Sequence, residues 1–249
     1  MMQFKDMMPY KEITIEGLTI KMYEPYDHVV KGVGSGWEAG TLRVWVDELD
    51  SVDGKLVLDV GAYTGIYTLL AIAADKKVMA FEPLSQVYSR LVENIWLNDE
   101  TPSYISFNMG LSDTESKTVI HVTGNNPLPS GSSVDPHPHR QTLVAQPIQL
   151  MPWDKYKSAE RVGLIKMDVE RHEMAALRGM KEMLTRDRPT IIIELLTVEE
   201  AHEVFDFLSE CGYKEFAQID EDSDAEYPYN YVTSELHIGP RTTNFLIKA

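Results

Sequence analysis

Apolar and polar residues alternate across residues 12–23, on either side of Glu16-Gly17, a pattern that predicts a β-hairpin. Gly32, Gly34, Gly36 and Gly40 then mark a loop, and apolar residues at 42, 45, 46 and 49 have helical spacing. From there a β-α rhythm is predicted. Strands are expected over 55–60, 78–81, 105–109, 162–167 and 190–196, with helices over 65–74, from Pro83 onward, over 172–184 and over 198–210. Residues 119–122 and 143–149 read as extra strand elements around a loop at 123–140 rich in Gly, Pro, Asn, Ser and His. Strands at 213–219 and 244–248 close the sheet, and the polar stretch between them lacks a helical pattern, so they are expected to pair antiparallel. The expected fold class is α/β, with a mixed, mostly parallel seven-stranded sheet, helices on both faces and an N-terminal β-hairpin. The hairpin and lead-in occupy 1–36 and the main domain 37–249.

At 43% apolar over 249 residues, the chain can bury a substantial core. The formal net charge of -16 disfavours a nucleic-acid partner, which is held by clustered Lys and Arg, and favours a neutral or cationic ligand. Cys211 is the single cysteine, so no intramolecular disulfide forms; a buried thiol in a reducing compartment is expected. No apolar run approaches the ~20 residues that span a bilayer, and Met1 to Lys11 lacks an apolar signal-peptide core. The expectation is a soluble cytoplasmic protein without a membrane partner.

The chemistry concentrates where the first central strand ends. Asp59-Val60-Gly61-Ala62-Tyr63-Thr64-Gly65 runs from a buried strand through a glycine turn into a helix. Dinucleotide sites use G-x-G-x-x-G to admit a pyrophosphate. Here the spacing is G-x-x-x-G, and no Lys-Ser/Thr follows, so a phosphate-cradling loop is excluded. Glu82, in Phe81-Glu82-Pro83, follows Asp59 by 23 residues, near the spacing of about 20 at which an acid reaches ribose hydroxyls. Either acid alone also suits an ordinary strand end; with the glycine turn they indicate a nucleoside-type cofactor.

With these residues in view, the sequence resembles the FkbM family of methyltransferases from about Trp37 to Leu196. The resemblance is carried by Leu58 to Gly65, Phe81-Glu82-Pro83, Gly110-Leu111-Ser112-Asp113, Ile165 to Glu173, Leu177-Arg178-Gly179 and Pro189 to Glu194, with an echo in Asn244 to Ile247. It implies a class I Rossmann-like fold, S-adenosyl-L-methionine as donor, and O-methylation of a hydroxyl on a sugar, glycan or natural product. The cofactor set is then Glu38, Asp59, Gly61, Ala62, Tyr63, Thr64, Gly65, Glu82, Pro83, Leu111, Ser112 and Asp168. Two positions depart from the family pattern: Tyr63, where Asn is common, and Arg171, where Gly is common.

Asp168, Glu170, His172 and Glu173 follow the fourth parallel strand, where ligands of open α/β sheets lie. His172 is the general-base candidate, with Asp168 and Glu170 as alternatives or as hydroxyl ligands; His172 and Glu173 equally suit a plain helix start. Ser132, Ser133, Arg171, Glu173 and Glu194 are candidate acceptor ligands. Several oxygens in one crevice also suit Mg²⁺. His137, His139 and Arg140 fall in the long loop, which is expected to cover the acceptor, a small molecule or glycan. Other readings are a cofactor-binding module without turnover inside a larger assembly, and an N- or nucleic-acid methyltransferase. The last lacks its usual N/D-P-P-Y/F tetrad, because the strand ends Met167-Asp168-Val169-Glu170.

Overall fold

A computed structural model describes residues 8–98, 104–136, 141–156, 158–223, 225, 228–232 and 236–249. The chain opens with β1 (Tyr10–Ile15) and β2 (Leu18–Tyr23), paired antiparallel from Ile15↔Leu18 to Tyr10↔Tyr23. Glu16 and Gly17 both have positive φ, as a two-residue hairpin turn of the right twist requires. The hairpin is sewn to the main fold by side-chain amides: Asn94 Oδ1 accepts from the Tyr23 amide at 3.0 Å. Then come α1 (His28–Val33), α2 (Ala39–Ser51), β3 (Leu56–Val60), α3 (Ile66–Ala73), β4 (Val78–Phe81), α4 (Ser85–Asn98) and β5 (Tyr104–Phe107). An excursion follows, made of β6 (Gly110–Leu111), β7 (Ser116–Thr123), β8 (Thr142–Met151) and a 3-10 turn at Trp153–Lys155. The second half contains β9 (Val162–Met167), α5 (Glu173–Arg178), α6 (Lys181–Asp187), β10 (Thr190–Glu194), α7 (Val198–Glu210), β11 (Glu215–Ile219), β12 (Tyr229–Tyr231) and β13 (Asn244–Lys248).

The main sheet has the order β12-β11-β13-β10-β9-β3-β4-β5. Its run from β10 to β5 is parallel, and β13 lies antiparallel to both β10 and β11. Helices cover both faces, so the central strands bury both sets of side chains and read as unbroken apolar runs. Leu42, Trp45, Leu69, Leu70, Leu91 and Ile95 fill one side with the hairpin's Ile13, Ile20 and Met22. Leu177, Met183, Leu184, Val204 and Leu208 fill the other. Among the described residues β6, β7 and β8 form a separate three-stranded sheet, order β6-β8-β7, that shares no ladder with the main one.

Four expectations are corrected. The sheet has eight strands, not seven, because Tyr229–Tyr231 adds to the edge of β11. Its three residues are too short for a periodicity signal. The helix over 172–184 is two helices: Asp154, from the 3-10 turn, accepts from the amides of Glu182 at 2.9 Å and Met183 at 3.1 Å and so caps a second start. Pro83 precedes α4 instead of sitting in its first turn. The strand expected over 105–109 ends at Phe107, after which the chain leaves the main sheet. Cys211 is buried, as expected, and no described helix is long and apolar enough to cross a membrane.

Candidate functional site

The carboxyl ends of β3, β4, β9 and β10 meet at a cavity of about 290 Å³, covered by the segment at 129–134 and by the start of α1. The glycine turn after β3 forms its floor. Gly61 has φ +81, and a Cβ there would lie 1.7 Å from the Asp168 carbonyl oxygen. Gly65 has φ +99, and a Cβ there would lie 2.4 Å from Leu91 Cδ1 of α4. Both glycines line the cavity, yet the contacts that require them are with protein: the turn is pressed against the β9 loop on one side and α4 on the other.

Glu82 ends β4 on the cavity wall. Its Oε2 accepts from the Tyr63 amide at 3.0 Å and its Oε1 from the Leu84 amide at 2.8 Å. Burial pushes its pKa up to about 8, against the pull of those two amides. As the carboxylate, each oxygen retains acceptor capacity for a hydroxyl donor. Asp59 is placed differently: it is buried beneath the turn, off the wall, where its Oδ2 accepts the Thr68 hydroxyl at 2.5 Å. Thr64 is likewise buried behind the turn, its carbonyl accepting from Asn94 Nδ2 at 2.8 Å. Ala62, Tyr63, Pro83 and Leu111 line the cavity. The Tyr63 phenol donates to the Leu128 carbonyl at 2.8 Å and so ties the turn to the covering segment.

On the opposite wall, Glu38 at the head of α2 accepts a hydrogen bond from the Tyr67 phenol. Burial raises its pKa to about 7. One carboxylate oxygen each from Glu38, Asp168 and Glu194 lie within 4.8 Å of one another. Lys166 reaches this cluster from β9 and is 1% exposed. Its Nζ donates to Asn244 Oδ1 at 3.4 Å and stands 5.1 Å from the centre of the Tyr67 ring. Asn244 in turn contacts Glu221, whose carboxylate accepts from the Gly40 and Thr41 amides at 2.8 and 3.1 Å and fixes the start of α2.

The loop at 168–172 closes the far wall. Glu170 and Arg171 both have left-handed backbones, with φ of 52° and 77°. Asp168, Glu170 and His172 line the cavity. His172 Nε2 is 3.0 Å from Ser112 Oγ, and burial lowers its pKa, so the imidazole is neutral at pH 7. Ser112 itself is buried behind the histidine, off the wall. Glu173 also lies outside the wall: buried under the loop, its Oε1 accepts from the Val169 and Arg171 amides at 3.3 and 3.2 Å. Arg171 turns away to Glu200 at 3.6 Å. Ser132 lines the cavity, and its buried hydroxyl has no partner among the described residues. Ser133 instead donates to the Glu170 carbonyl, locking the covering segment to the loop. His137, His139 and Arg140 lie outside the described residues.

Sequence reasoning assigned no role to Lys166, Tyr67, Asn244 or Glu221. Lys166 left a trace, a charge inside the apolar strand Val-Gly-Leu-Ile-Lys-Met. Glu221 left none, because it caps a helix 180 residues away.

A parallel run closed by an antiparallel strand, with a glycine turn and an acid at successive strand ends, is the architecture of a class I methyltransferase. The chain belongs to the FkbM methyltransferase family, whose domain matches residues 59–215. This is a family of S-adenosylmethionine-dependent methyltransferases. The structure is similar to methyltransferase FkbM of Methylobacillus flagellatus, with a TM-score of 0.54 at 13% identity over 89% of this chain and 60% of that one. It is also similar to a SAM-dependent methyltransferase of Agrobacterium tumefaciens, with a TM-score of 0.51 at 12% identity over 96% and 69% of the two chains. At these identities the likeness concerns the fold. In sequence, the chain is 25% identical over 192 residues to the hexuronic acid methyltransferase AglP of Haloferax volcanii, covering 75% of this chain and 74% of the relative. A segment of 81 residues is 41% identical to the AMB antimetabolite synthetase AmbE of Pseudomonas aeruginosa; the chain spans 4% of that synthetase.

Proposed function

We propose that the chain methylates a hydroxyl of a sugar, glycan or related natural product, with S-adenosyl-L-methionine as donor. The observation that carries this reading is the placement of the His172 imidazole, whose pKa burial lowers, on the lining of the same cavity as Asp168 and Glu170. The cavity also suits the donor. Glu82 offers acceptor positions for a vicinal diol, and the acids around Glu38 suit an ammonium and a sulfonium. When bound, the cofactor supplies an electrophilic methyl group.

The protein's own part is to place the acceptor and to take its proton. Asp168 and Glu170 stand where they can accept from hydroxyls of a polyol, and the Ser132 hydroxyl adds an unpaired polar atom on the covering side. With Nε2 donating to Ser112, the His172 Nδ1 lone pair remains for the proton that the hydroxyl loses as its oxygen bonds to the methyl carbon. The proton passes to a half-buried residue, and the covering segment limits competition from solvent. The formal charge of -16 and the acid-lined cavity support a neutral or cationic acceptor over nucleic acid. The relative that acts on hexuronic acid supports a carbohydrate.

The test is incubation of the protein and cofactor with a panel of neutral, uronic and amino sugar glycosides. S-adenosylhomocysteine is measured, and the product is treated with mild alkali. An alkali-stable methyl ether is expected; a labile ester, an N-methyl product, or no turnover with any hydroxyl compound overturns the reading.

A further inference from the structure

Three acids and one lysine share one end of the cavity, and their arrangement bears on whether a metal belongs there. Three carboxylate oxygens within 4.8 Å of one another repel, which raises their pKa values or calls for a cation between them. Lys166 is fully buried beside them and faces the same cavity. Its ammonium has three donor hydrogens but, among the described residues, one hydrogen bond, the long one to Asn244. No carboxylate lies within ion-pairing contact of Nζ among the described residues, so its charge is neutralised through space by the acids and by the Tyr67 ring. Burial works against the charge of such a lysine; Asp168, Glu38, Glu194 and Asp59 outweigh it and raise its pKa.

The acids are also committed elsewhere. The Tyr67 phenol occupies Glu38 Oε2, and Thr243 Oγ1 donates to Glu194 Oε1 at 3.1 Å. A divalent ion entering the triangle would sit next to a buried ammonium, which a low-dielectric site penalises steeply. We propose that Lys166 supplies, from within the protein, the positive charge that a metal ion would bring to Glu38, Asp168 and Glu194. The cluster and Lys166 together are thereby set to receive the zwitterionic methionine end of the cofactor, whose ammonium brings its own carboxylate, without a metal. This rests on the reading that the cavity takes S-adenosylmethionine, but its metal arm does not.

The full chain is titrated with MnCl₂ and with S-adenosylhomocysteine, before and after EDTA treatment, alongside Lys166→Met, an apolar replacement of similar length. The wild-type protein should show no saturable Mn²⁺ binding below ~1 mM and an affinity for S-adenosylhomocysteine that EDTA leaves unchanged. Lys166→Met should bind Mn²⁺ saturably, lose affinity for S-adenosylhomocysteine by about tenfold, and regain part of it when Mn²⁺ is added. A purely structural lysine would produce no gain of metal binding. Stoichiometric Mn²⁺ binding by the wild-type protein overturns the proposal, as does wild-type affinity without metal in folded Lys166→Met. If that variant does not fold, the wild-type metal titration decides. A wild-type protein that fails to bind S-adenosylhomocysteine refutes the cofactor reading instead, and the Mn²⁺ titration still decides whether the acids hold a metal.

Discussion

Tyr63 and Leu128 are 65 residues apart in sequence, and the phenol of one donates to the carbonyl of the other at 2.8 Å. One neutral hydrogen bond contributes about 1 kcal/mol. It joins the glycine turn on the floor of the cavity to the segment that covers it. Tyr63→Phe keeps the ring among Leu84, Val87 and Leu128 and removes only the tether. The expected result is an acceptor KM raised about fivefold, with cofactor affinity unchanged by calorimetry. A matched loss of both would show that the tether serves the turn itself.

His172 is neutral because burial disfavours its charged form. The acid limb of kcat/KM should therefore lie below the ordinary histidine value of about 6.5, with a plateau at neutral pH. His172→Asn is expected to lower kcat by about 10²–10⁴ without changing cofactor affinity. A pH–rate profile of the variant that kept the same acid limb would assign the limb to a carboxylate.

Glu173 holds the 168–172 loop from beneath, and burial raises its pKa from 4.5 to about 8. The folded state thus binds a proton more tightly than the unfolded chain. Its contribution to stability is full below the unfolded value and is lost as pH rises from about 4.5 toward 8. Urea midpoints of the cofactor-free protein should fall across that window. Glu173→Gln, which retains an acceptor oxygen, should flatten the decline and be more stable than wild type at pH 8.5, about half a unit above the folded value. Parallel curves for the two proteins would mean that Glu173 does not drive the trend.

Arg171 has φ 77°, a conformation that costs an L-residue about 1–2 kcal/mol. Its half-buried pair with Glu200, at 3.6 Å, returns about 1 kcal/mol. Replacing it with glycine relieves the strain but adds unfolded-state freedom of about 0.5–1 kcal/mol. Arg171→Gly should therefore remain within about 1 kcal/mol of wild type, while β-branched Arg171→Val, which this backbone disfavours, should be clearly destabilised. Equal midpoints for the two variants would show that the loop relaxes away from the left-handed geometry.

The two positions at which the sequence departs from the pattern it resembles have backbones that suit the residues of that pattern. Tyr63 and Arg171 have φ of 49° and 77°, the region that Asn and Gly enter most readily. Their mismatch was visible in the sequence, but the turn geometry that gives it meaning was not. Contiguous features were legible: the apolar runs of β3, β9 and β10, the hairpin around Glu16-Gly17, and the Val198–Glu210 helix. Features made across the chain were not. Asp154 splits a helix expected to run unbroken over 172–184. Side-chain direction was illegible too. Arg171 and Glu173 flank His172 in sequence, yet only the histidine reaches the cavity.

The three-stranded excursion between β5 and β9 contributes a wall and part of the cover of the cavity while sharing no ladder with the main sheet among the described residues. It is attached through side-chain packing and a few tethers, Tyr63 to Leu128 and Ser133 to Glu170 among them. Such a piece should tolerate exchange, lengthening or remodelling by mutation without disturbing the strand ends that line the rest of the cavity. Grafting it between relatives should therefore move acceptor preference from one protein to another, with the tether residues carried along as its fasteners.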